Sequence, residues 1–245
     1  MPHLLSCKKW SCEEGAYWMG DKKMTDAGTK TPFEQVHRGI LRALYEGRYV
    51  PGQRLIAPEL MREFGVGRGT VREVLQRLAS IGVLTIAPHK GAQVRRLSRS
   101  EVRGILDVVE VLLGLAARGA AQAVKRPDVK KGLQERLREM SSINTETDFN
   151  SFLSAREDYY RFLVAAPENS ELVRVFPNIQ VHIMRIQLRS FDRAGDSVAL
   201  TDFADLNAAV LSGDFEQAEA AGRAHVRQTW NRINALPDRA FGAEK

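Results

Sequence analysis

Apolar residues recur at helical spacing in three short stretches of the chain between residues 31 and 82. The first stretch follows Thr31-Pro32, a pair typical of a helix start, and ends at Val50-Pro51-Gly52, which favours a turn. The second has Pro58 in its first turn, and the third is predicted to run from about Thr70 to Ser80 and to end at Gly82. The apolar positions are Phe33, Val36, Ile40, Leu41 and Leu44, then Leu60, Met61 and Phe64, then Val71, Val74, Leu75 and Leu78.

Two short strand candidates follow the third predicted helix. They are Val83–Ile86 and Ala92–Val94, and Pro88-His89-Lys90-Gly91 joins them. Three helices, with a tight turn before the third and a hairpin after it, predict a winged helix-turn-helix, which we assign to residues 31–97.

The pattern changes at Ser98, after which it is helical nearly throughout. Ser98 and Glu101 have the spacing of a capping box, and an apolar stripe follows them. We predict an all-helical bundle of roughly six or seven helices over residues 98–238, the last one from about Phe215 to Leu236. A C-terminal tail is expected at residues 239–245. The predicted fold class is mainly α, a winged helix-turn-helix followed by an all-α effector and dimerisation domain.

Residues 1–30 show no sustained hydrophobic period, and we expect them to form a flexible N-terminal extension. The alternative is that the native protein starts at Met24 or Met19. Both cysteines, Cys7 and Cys12, lie in this stretch, so no disulfide framework is expected, as is typical of a reducing cytoplasm. No apolar run reaches the roughly 20 residues that span a bilayer, and we expect a cytoplasmic protein.

Positive charge is concentrated in one segment of the chain. Residues 33–99 contain 12 Lys and Arg against 5 Asp and Glu, a net of +7, whereas the whole chain carries +6. Such a concentration suits phosphate binding, because neutralised phosphates release counterions and drive association. A solvated basic surface would give the same count, so charge alone leaves both interpretations open.

The residues around the turn before the third helix suit a helix that reads DNA. In a helix-turn-helix this helix lies in the major groove with its first residues at base edges, which requires small residues in the turn and long donors at the helix start. Gly65, Gly67 and Gly69 are the small residues, and Arg68 and Arg72 are the donors.

Arg68 and Arg72 stand four positions apart, which places them on one helix face, opposite the apolar stripe. An arginine there pairs with guanine or clamps a phosphate, while Thr70 caps the helix or contacts a phosphate. The alternative is that both arginines are ordinary solvated charges, with Arg72 paired to Glu73 or Glu63.

A longer pattern surrounds the two arginines. It consists of Pro51-Gly52-x-Arg54-Leu55, Glu59-Leu60, Gly65-Val66-x-Arg68-x-x-Val71-Arg72-Glu73-x-Leu75-x-x-Leu78, Gly82-x-Leu84 and Gly91-x-x-Val94. In order and spacing these elements closely resemble the DNA-binding domain of the GntR family, over about residues 33–97. The resemblance implies DNA contacts by Arg54, Arg68, Gly69, Thr70 and Arg72, and by His89, Lys90 and Gly91 in the wing.

Three positions depart from the family pattern. Gly67 stands where the family usually has serine, which removes a side-chain cap. Ala57-Pro58 stands where a Glu-Arg pair is common, and Gly69 replaces a bulkier residue. The operator sequence bound by this chain therefore cannot be inferred from the family.

The helical region has weaker marks of the FadR-type branch of the same family, whose effector domain is called FCD. These marks are Leu115-Ala116-Ala117, Glu168-Asn169-x-x-Leu172 and Gly213-Asp214-x-x-x-Ala218. Many members of this branch hold a metal through one aspartate and three histidines, and the metal receives a carboxylate effector. The matching positions here are Arg156, Tyr160, Phe203 and His225.

Only His225 remains of that ligand set, and we therefore expect no metal and no other cofactor. One imidazole cannot hold a divalent ion, and the arginine would repel it. Arg156 can instead present its positive charge to an anionic effector directly. The predicted effector-binding residues are Arg156, Tyr160, His182, Arg185, Arg189, Phe203 and His225.

Three of these residues have an alternative interpretation. His182 fits a hydrogen-bonded core histidine, and His225 fits a leftover ligand that only lines the pocket. Arg156 fits a structural salt bridge with Glu157, Asp158 or another helix.

The sequence thus predicts a DNA-binding transcriptional regulator, and more specifically a repressor controlled by a small carboxylate. The protein is expected to be a cytoplasmic, nucleoid-associated homodimer on an inverted-repeat operator. The alternative is a dimeric DNA-binding protein whose C-terminal domain holds no ligand. No Ser/His/Asp or Cys/His arrangement and no phosphate-cradling glycine loop indicates an enzyme.

Overall fold

The structure is a computed structural model that describes residues 31–87, 91–144, 148–176, 183–184, 187–188 and 196–244. Its N-terminal unit contains three helices and three short strands, in the order predicted for a winged helix-turn-helix. The elements are α1 (Pro32–Tyr45), β1 (Arg54–Leu55), α2 (Ala57–Phe64), α3 (Arg68–Ser80), β2 (Leu84–Ala87) and β3 (Gly91–Val94).

Local sequence explains where these helices begin and end. The hydroxyl of Thr31 accepts from the Glu34 amide and the Glu34 carboxylate accepts from the Thr31 amide, so a complete capping box starts α1. Gly65 ends α2 with φ +63°, a left-handed conformation that glycine adopts without a steric cost. Gly82, at φ +75°, follows α3 as predicted.

The three strands form an antiparallel sheet in the order β1-β3-β2. Arg54 in β1 faces Gln93 in β3, and Thr85 in β2 faces Gln93 from the other side. We did not predict β1, because two residues cannot show an alternating pattern and only the pairing with β3 defines it. The core of this unit is made by the predicted stripes and includes Val36, Ile40, Leu60, Val71, Val74, Leu78, Leu84 and Val94.

The described residues after Ser98 are mainly helical, as predicted. The hydroxyl of Ser98 and the carboxylate of Glu101 complete the second capping box, which starts α4. Residues 183–184 and 187–188 are also helical. The helices with defined ends are α4 (Arg99–Ala123), α5 (Pro127–Ser142), α6 (Phe149–Ala165), α7 (Ser170–Val175), α8 (Asp196–Leu211) and α9 (Phe215–Asn234).

Helices α4 and α9 pack closely because small residues lie where they cross. A Cβ on Gly222 of α9 would lie 2.9 Å from the carbonyl oxygen of Leu113 in α4, and 3.1 Å from the Cβ of Ala117. A side chain at position 222 would therefore push the helices apart. Both helices also contribute to the core around Tyr159 of α6, which is fully buried.

The last residues differ from the expected tail. A short 3-10 helix, Asp238–Ala240, follows α9, and Ala240 and Phe241 are buried. This segment packs on the residues that join β3 to α4. Among the helices that the structure describes, none combines the length and the apolar character needed to cross a membrane.

Candidate functional site

The turn between α2 and α3 leaves the start of α3 open. Gly67 is the N-cap of α3 in an extended conformation and contributes no side-chain hydrogen bond. The predicted capping role of Thr70 is wrong, because α3 begins at Arg68, two residues earlier than expected, and Thr70 already lies inside the helix. Among the described residues, a Cβ placed on Gly67 or Gly69 would meet no atom within 4 Å. These glycines are therefore not required by packing within the chain.

Arg68 and Arg72 are exposed, while Val71 and Leu75 on the other face of α3 are buried. Among the described residues, no acidic side chain lies within ion-pair distance of either arginine. Glu63, considered above as a partner of Arg72, instead accepts from the Tyr49 hydroxyl at 2.8 Å. The two guanidinium groups are consequently free to meet a ligand of opposite charge.

The exposed face of α3 continues beyond the residues that we predicted. Gln76, one helical turn after Arg72, is also exposed. The spacing of four between positions 68, 72 and 76 could have revealed it, since such residues share a helix face. An amide at this position can both donate and accept hydrogen bonds at a base edge.

The wing is described in part. Gly91 begins the central strand β3 with φ +74°, and Arg54 is exposed on the neighbouring edge strand β1. The side chain of Gln93, which pairs with Arg54 across the sheet, donates to the carbonyl oxygen of Gly52. The predicted wing residues His89 and Lys90 lie outside the described residues.

A second candidate site lies inside the helical region, where α6, α8 and α9 meet. Tyr160 and His225 are hydrogen-bonded, with 2.6 Å between Oη and Nε2. The Phe203 ring lies 5.2 Å from the Tyr160 ring and 4.8 Å from the His225 ring, measured between centroids. Three of the four positions matched to the family's metal ligands thus touch one another. We call the group made by Arg156, Tyr160, Asp202, Phe203, His225 and Arg232 the interior polar cluster.

His225 is held as a neutral imidazole. Burial lowers its pKa to about 4, although the Asp202 carbonyl and carboxylate oppose that effect. The geometry indicates that Nδ1–H donates to the Asp202 carbonyl oxygen at 3.3 Å, which leaves Nε2 to accept from the Tyr160 hydroxyl. Both ring nitrogens are therefore used by the protein itself.

Arg156 lies one turn before Tyr160 on α6, and its positive charge contributes to the lowered pKa of His225. Its Nε is buried and has no hydrogen-bond partner among the described residues. Asp158, one of the acids considered above, is held by Arg136 at 2.7 Å and by Arg161 at 3.8 Å. A buried guanidinium N–H without an acceptor is costly, and a ligand with acceptor oxygens would relieve that cost.

An ion pair that the sequence did not reveal completes the cluster. Asp202, which is 7% exposed, lies 2.5 Å from a terminal nitrogen of Arg232. The two residues are on different helices, α8 and α9, and no local spacing signals their contact. Tyr159 and Asn207 form a similar buried pair between α6 and α8, with 3.4 Å between the hydroxyl and the amide oxygen.

The donor atoms of the cluster do not fit a metal ion. Phe203 has no ligating atom, and Tyr160 and His225 are bonded to each other. The described residues include no group of three or more His, Cys, Asp or Glu side chains that could hold a metal. The other predicted effector residues, His182, Arg185 and Arg189, lie outside the described residues.

Comparison with known proteins gives two family matches. Residues 32–94 match the profile of the bacterial regulatory proteins of the gntR family, and residues 104–228 match the profile of the FCD domain. Together the two matches span the N-terminal unit and most of the helical region.

Curated relatives match along most of the chain. The probable D-xylose utilization operon transcriptional repressor of Paenarthrobacter nicotinovorans is 27% identical over 80% of this chain and 86% of its own. The HTH-type transcriptional repressor RspR of Escherichia coli is 22% identical over 83% of this chain and 89% of its own.

A solved structure has the same fold. The putative transcriptional regulator GntR from Rhodococcus sp. RHA1 superposes with a TM-score of 0.71, at 18% identity. The match covers 85% of this chain and 100% of that one.

Proposed function

Because this chain belongs to the gntR family of bacterial regulatory proteins and carries an FCD domain, we propose that it is a transcriptional repressor whose DNA binding is controlled by a small anion. The relatives described above are named as repressors, which supports regulation rather than catalysis. The proposed location is the cytoplasm, in association with the nucleoid.

The exposed start of α3 carries the DNA-binding part of the proposal. Arg68 and Arg72 project from the first turns of α3, and the glycines beside them leave space for a close approach of the ligand. This is the arrangement by which a recognition helix meets base edges in the major groove. The net charge of +7 over residues 33–99 adds the nonspecific attraction to phosphate. Arg54 and the wing residues His89, Lys90 and Gly91 are proposed to contact the flanking backbone.

The part of the chain that the structure describes contains one recognition helix, α3, and we therefore propose that the repressor is a homodimer. Two copies related by a two-fold axis would present two α3 helices to an inverted repeat, with half-site centres about one helical turn apart. Selection of bound sequences from random DNA tests this proposal. Enrichment of an inverted repeat is expected, and recovery of unrelated sequences would contradict it.

The interior polar cluster carries the effector part of the proposal. The buried Nε of Arg156 needs an acceptor, and the neighbouring Tyr160 hydroxyl can turn from His225 to donate to the same ligand. A small carboxylate satisfies both donors, because its two oxygens accept in a geometry that guanidinium matches. We propose that this anion binds without a metal, since the cluster lacks a metal ligand set.

Calorimetric titration of metal-stripped protein with small carboxylates, each paired with its neutral amide, tests the effector proposal. The carboxylate is expected to bind and the amide is not, and Arg156→Ala is expected to abolish binding. Arg161→Ala is the matched control, because Arg161 is an exposed arginine on the same helix. Equal affinity in Arg156→Ala and the natural protein would contradict the proposal.

A second candidate function has its own supporting observation. The bonds from Tyr160 to His225 and from His225 to the Asp202 carbonyl are formed within the protein, and Phe203 packs against both rings. Polar groups whose hydrogen bonds are already made within the protein are expected of a helical domain that only dimerises and holds no ligand. Melting temperatures measured with and without small carboxylates separate the two functions. A domain with an open binding site is stabilised by its ligand, whereas a domain whose interior is filled by its own side chains shows no shift.

A further inference from the structure

The chain between β3 and α4 is held by residues that are distant in sequence. This linker, residues 95–98, joins the N-terminal unit to the helical domain, and Leu97 at its centre is fully buried. The Gln187 side chain accepts from the Leu97 amide at 2.7 Å and donates to the Leu97 carbonyl oxygen at 2.8 Å. Both backbone polar groups of Leu97 are therefore bound by one buried side chain of the helical domain.

The C-terminal strap, residues 238–244, closes over this contact. Gln187 also donates to the carbonyl oxygen of Ala240 at 2.9 Å, and the Gly242 amide donates to that of Leu97 at 2.8 Å. A Cβ on Gly242 would lie 2.7 Å from the carbonyl oxygen of Arg96, so even alanine would push the strap away from the linker.

Arg99, the first residue of α4, fixes the beginning of the strap. Its guanidinium donates to the carbonyl oxygen of Leu236 at 3.0 Å and to the Asp238 carboxylate at 2.8 Å. The guanidinium carbon also lies 4.1 Å from the centroid of the Phe241 ring, a cation–π distance. At the other end of the strap, Glu244 accepts from the Ser100 amide at 3.1 Å.

We propose that the C-terminal strap is a conformational device that sets how freely the N-terminal unit moves. With the strap seated, the linker is bound on the helical domain and the two parts of the chain move together. With the strap released, Leu97 loses the hydrogen bond from the Gly242 amide and is no longer covered by residues 238–244. The linker then opens by local unfolding while both domains stay folded. The strap lies outside the span of the two family matches, which end at residue 228.

The linker contains its own probe, because Arg95 and Arg96 are adjacent trypsin sites. We compare tryptic cleavage of the natural chain with that of Phe241→Ala and Gly242→Ala, and assign each cut by mass spectrometry. Cleavage at residues 95–96 is expected to rise about tenfold or more in both variants, because cleavage follows the open population of the linker. Cleavage at Arg138 in α5 is expected to stay unchanged.

Phe215→Ala is the control for the loss of an arginine–aromatic contact. Phe215 lies beneath Arg118 at 4.5 Å, as Phe241 lies beneath Arg99, but it is at the start of α9, away from the linker. This variant should cleave at the natural rate. The proposal is overturned if the linker cuts do not accelerate in Phe241→Ala and Gly242→Ala. It is also overturned if cuts at Arg138 accelerate equally, since that result would mean general unfolding. The assay uses no DNA or effector, so its outcome is separate from the proposed function.

Discussion

The start of α3 and the interior polar cluster both depend on arginine, but they use it in opposite surroundings. Arg68 and Arg72 are exposed, with no acid in ion-pair distance among the described residues. Arg232 is paired with Asp202, and Arg156 keeps a buried Nε without an acceptor among the same residues. Water solvates the first pair at little cost, whereas burial makes every unpaired donor of the second pair expensive. Substitutions at the surface should therefore change DNA binding with little effect on stability, whereas removal of packed side chains in the interior should change protein stability.

The largest effect is expected for Phe203→Ala in the interior. The ring is 2% exposed and packs on Tyr159, Tyr160 and His225, so its removal leaves a cavity that the rigid surroundings cannot fill. The free energy of unfolding should fall by about 3–5 kcal/mol, measured by urea denaturation. A decrease in the free energy of unfolding of less than about 1 kcal/mol would show that the interior polar cluster is loosely packed. The cluster would then differ less from the exposed start of α3.

The second effect is a dependence of stability on pH through His225. Its folded pKa of about 4 lies below the ordinary value of 6.5, so the unfolded chain binds the proton more readily. The free energy of unfolding should therefore decrease as the pH falls from about 7 to about 4, by about 3 kcal/mol from this residue.

Urea denaturation of the natural protein and of His225→Gln over this pH range isolates the contribution of His225. The difference between the two curves removes the titration of all other groups, including His37, whose pKa burial also lowers. Parallel curves for the two proteins would contradict the expected titration.

The third effect belongs to the exposed surface. Arg68→Ala and Arg72→Ala should each weaken binding to the selected operator by about tenfold to a hundredfold, because each removes a charged donor at a base edge or phosphate. The free energy of unfolding should stay within about 0.5 kcal/mol of the natural value, since neither side chain packs.

Fluorescence anisotropy with labelled operator measures the affinity, and urea denaturation measures the stability. Arg138→Ala removes an arginine that is also exposed, on α5, and should leave operator affinity unchanged. If Arg138→Ala weakens binding as much as Arg72→Ala, net charge rather than the α3 surface governs the interaction.

The smallest effect is expected at Gly69, where α3 has space for a side chain. Gly69→Ala should raise the free energy of unfolding by about 0.5–1 kcal/mol, because alanine loses less conformational freedom in a helix. Gly65→Ala is the comparison, since its φ of +63° disfavours alanine and should lower stability instead. Thermal denaturation of both variants checks that the melting temperature rises in Gly69→Ala and falls in Gly65→Ala. A change in the same direction in both variants would be inconsistent with this explanation.

The sequence was most informative where structure depends on near neighbours. The helix start at Thr31-Pro32, the capping box at Ser98 and the stop at Gly82 were predicted correctly, because each depends on residues within one helical turn. Helical periodicity predicted that Arg68 and Arg72 share one face of α3, opposite its apolar stripe. Strand β1 was missed, since its two residues become a strand only by pairing with β3.

The interior polar cluster could be predicted only in part. The family resemblance matched Tyr160, Phe203 and His225 to the positions of the family's metal ligands, and in the structure these three residues contact one another. The pairing of Asp202 with Arg232 had no signal in the sequence, because the two residues lie on separate helices. The same is true of Gln187, which binds Leu97 across 90 positions of the chain.

The sequence by itself determined the fold class, the order of the helices and the exposed arginines of α3, because helix periodicity, caps and turns are short-range properties. Only the tertiary structure decided which buried polar groups satisfy one another and that residues 238–244 bind the linker instead of forming a tail. Those contacts join distant segments, and burial there requires a partner for each donor or acceptor whatever its distance along the chain.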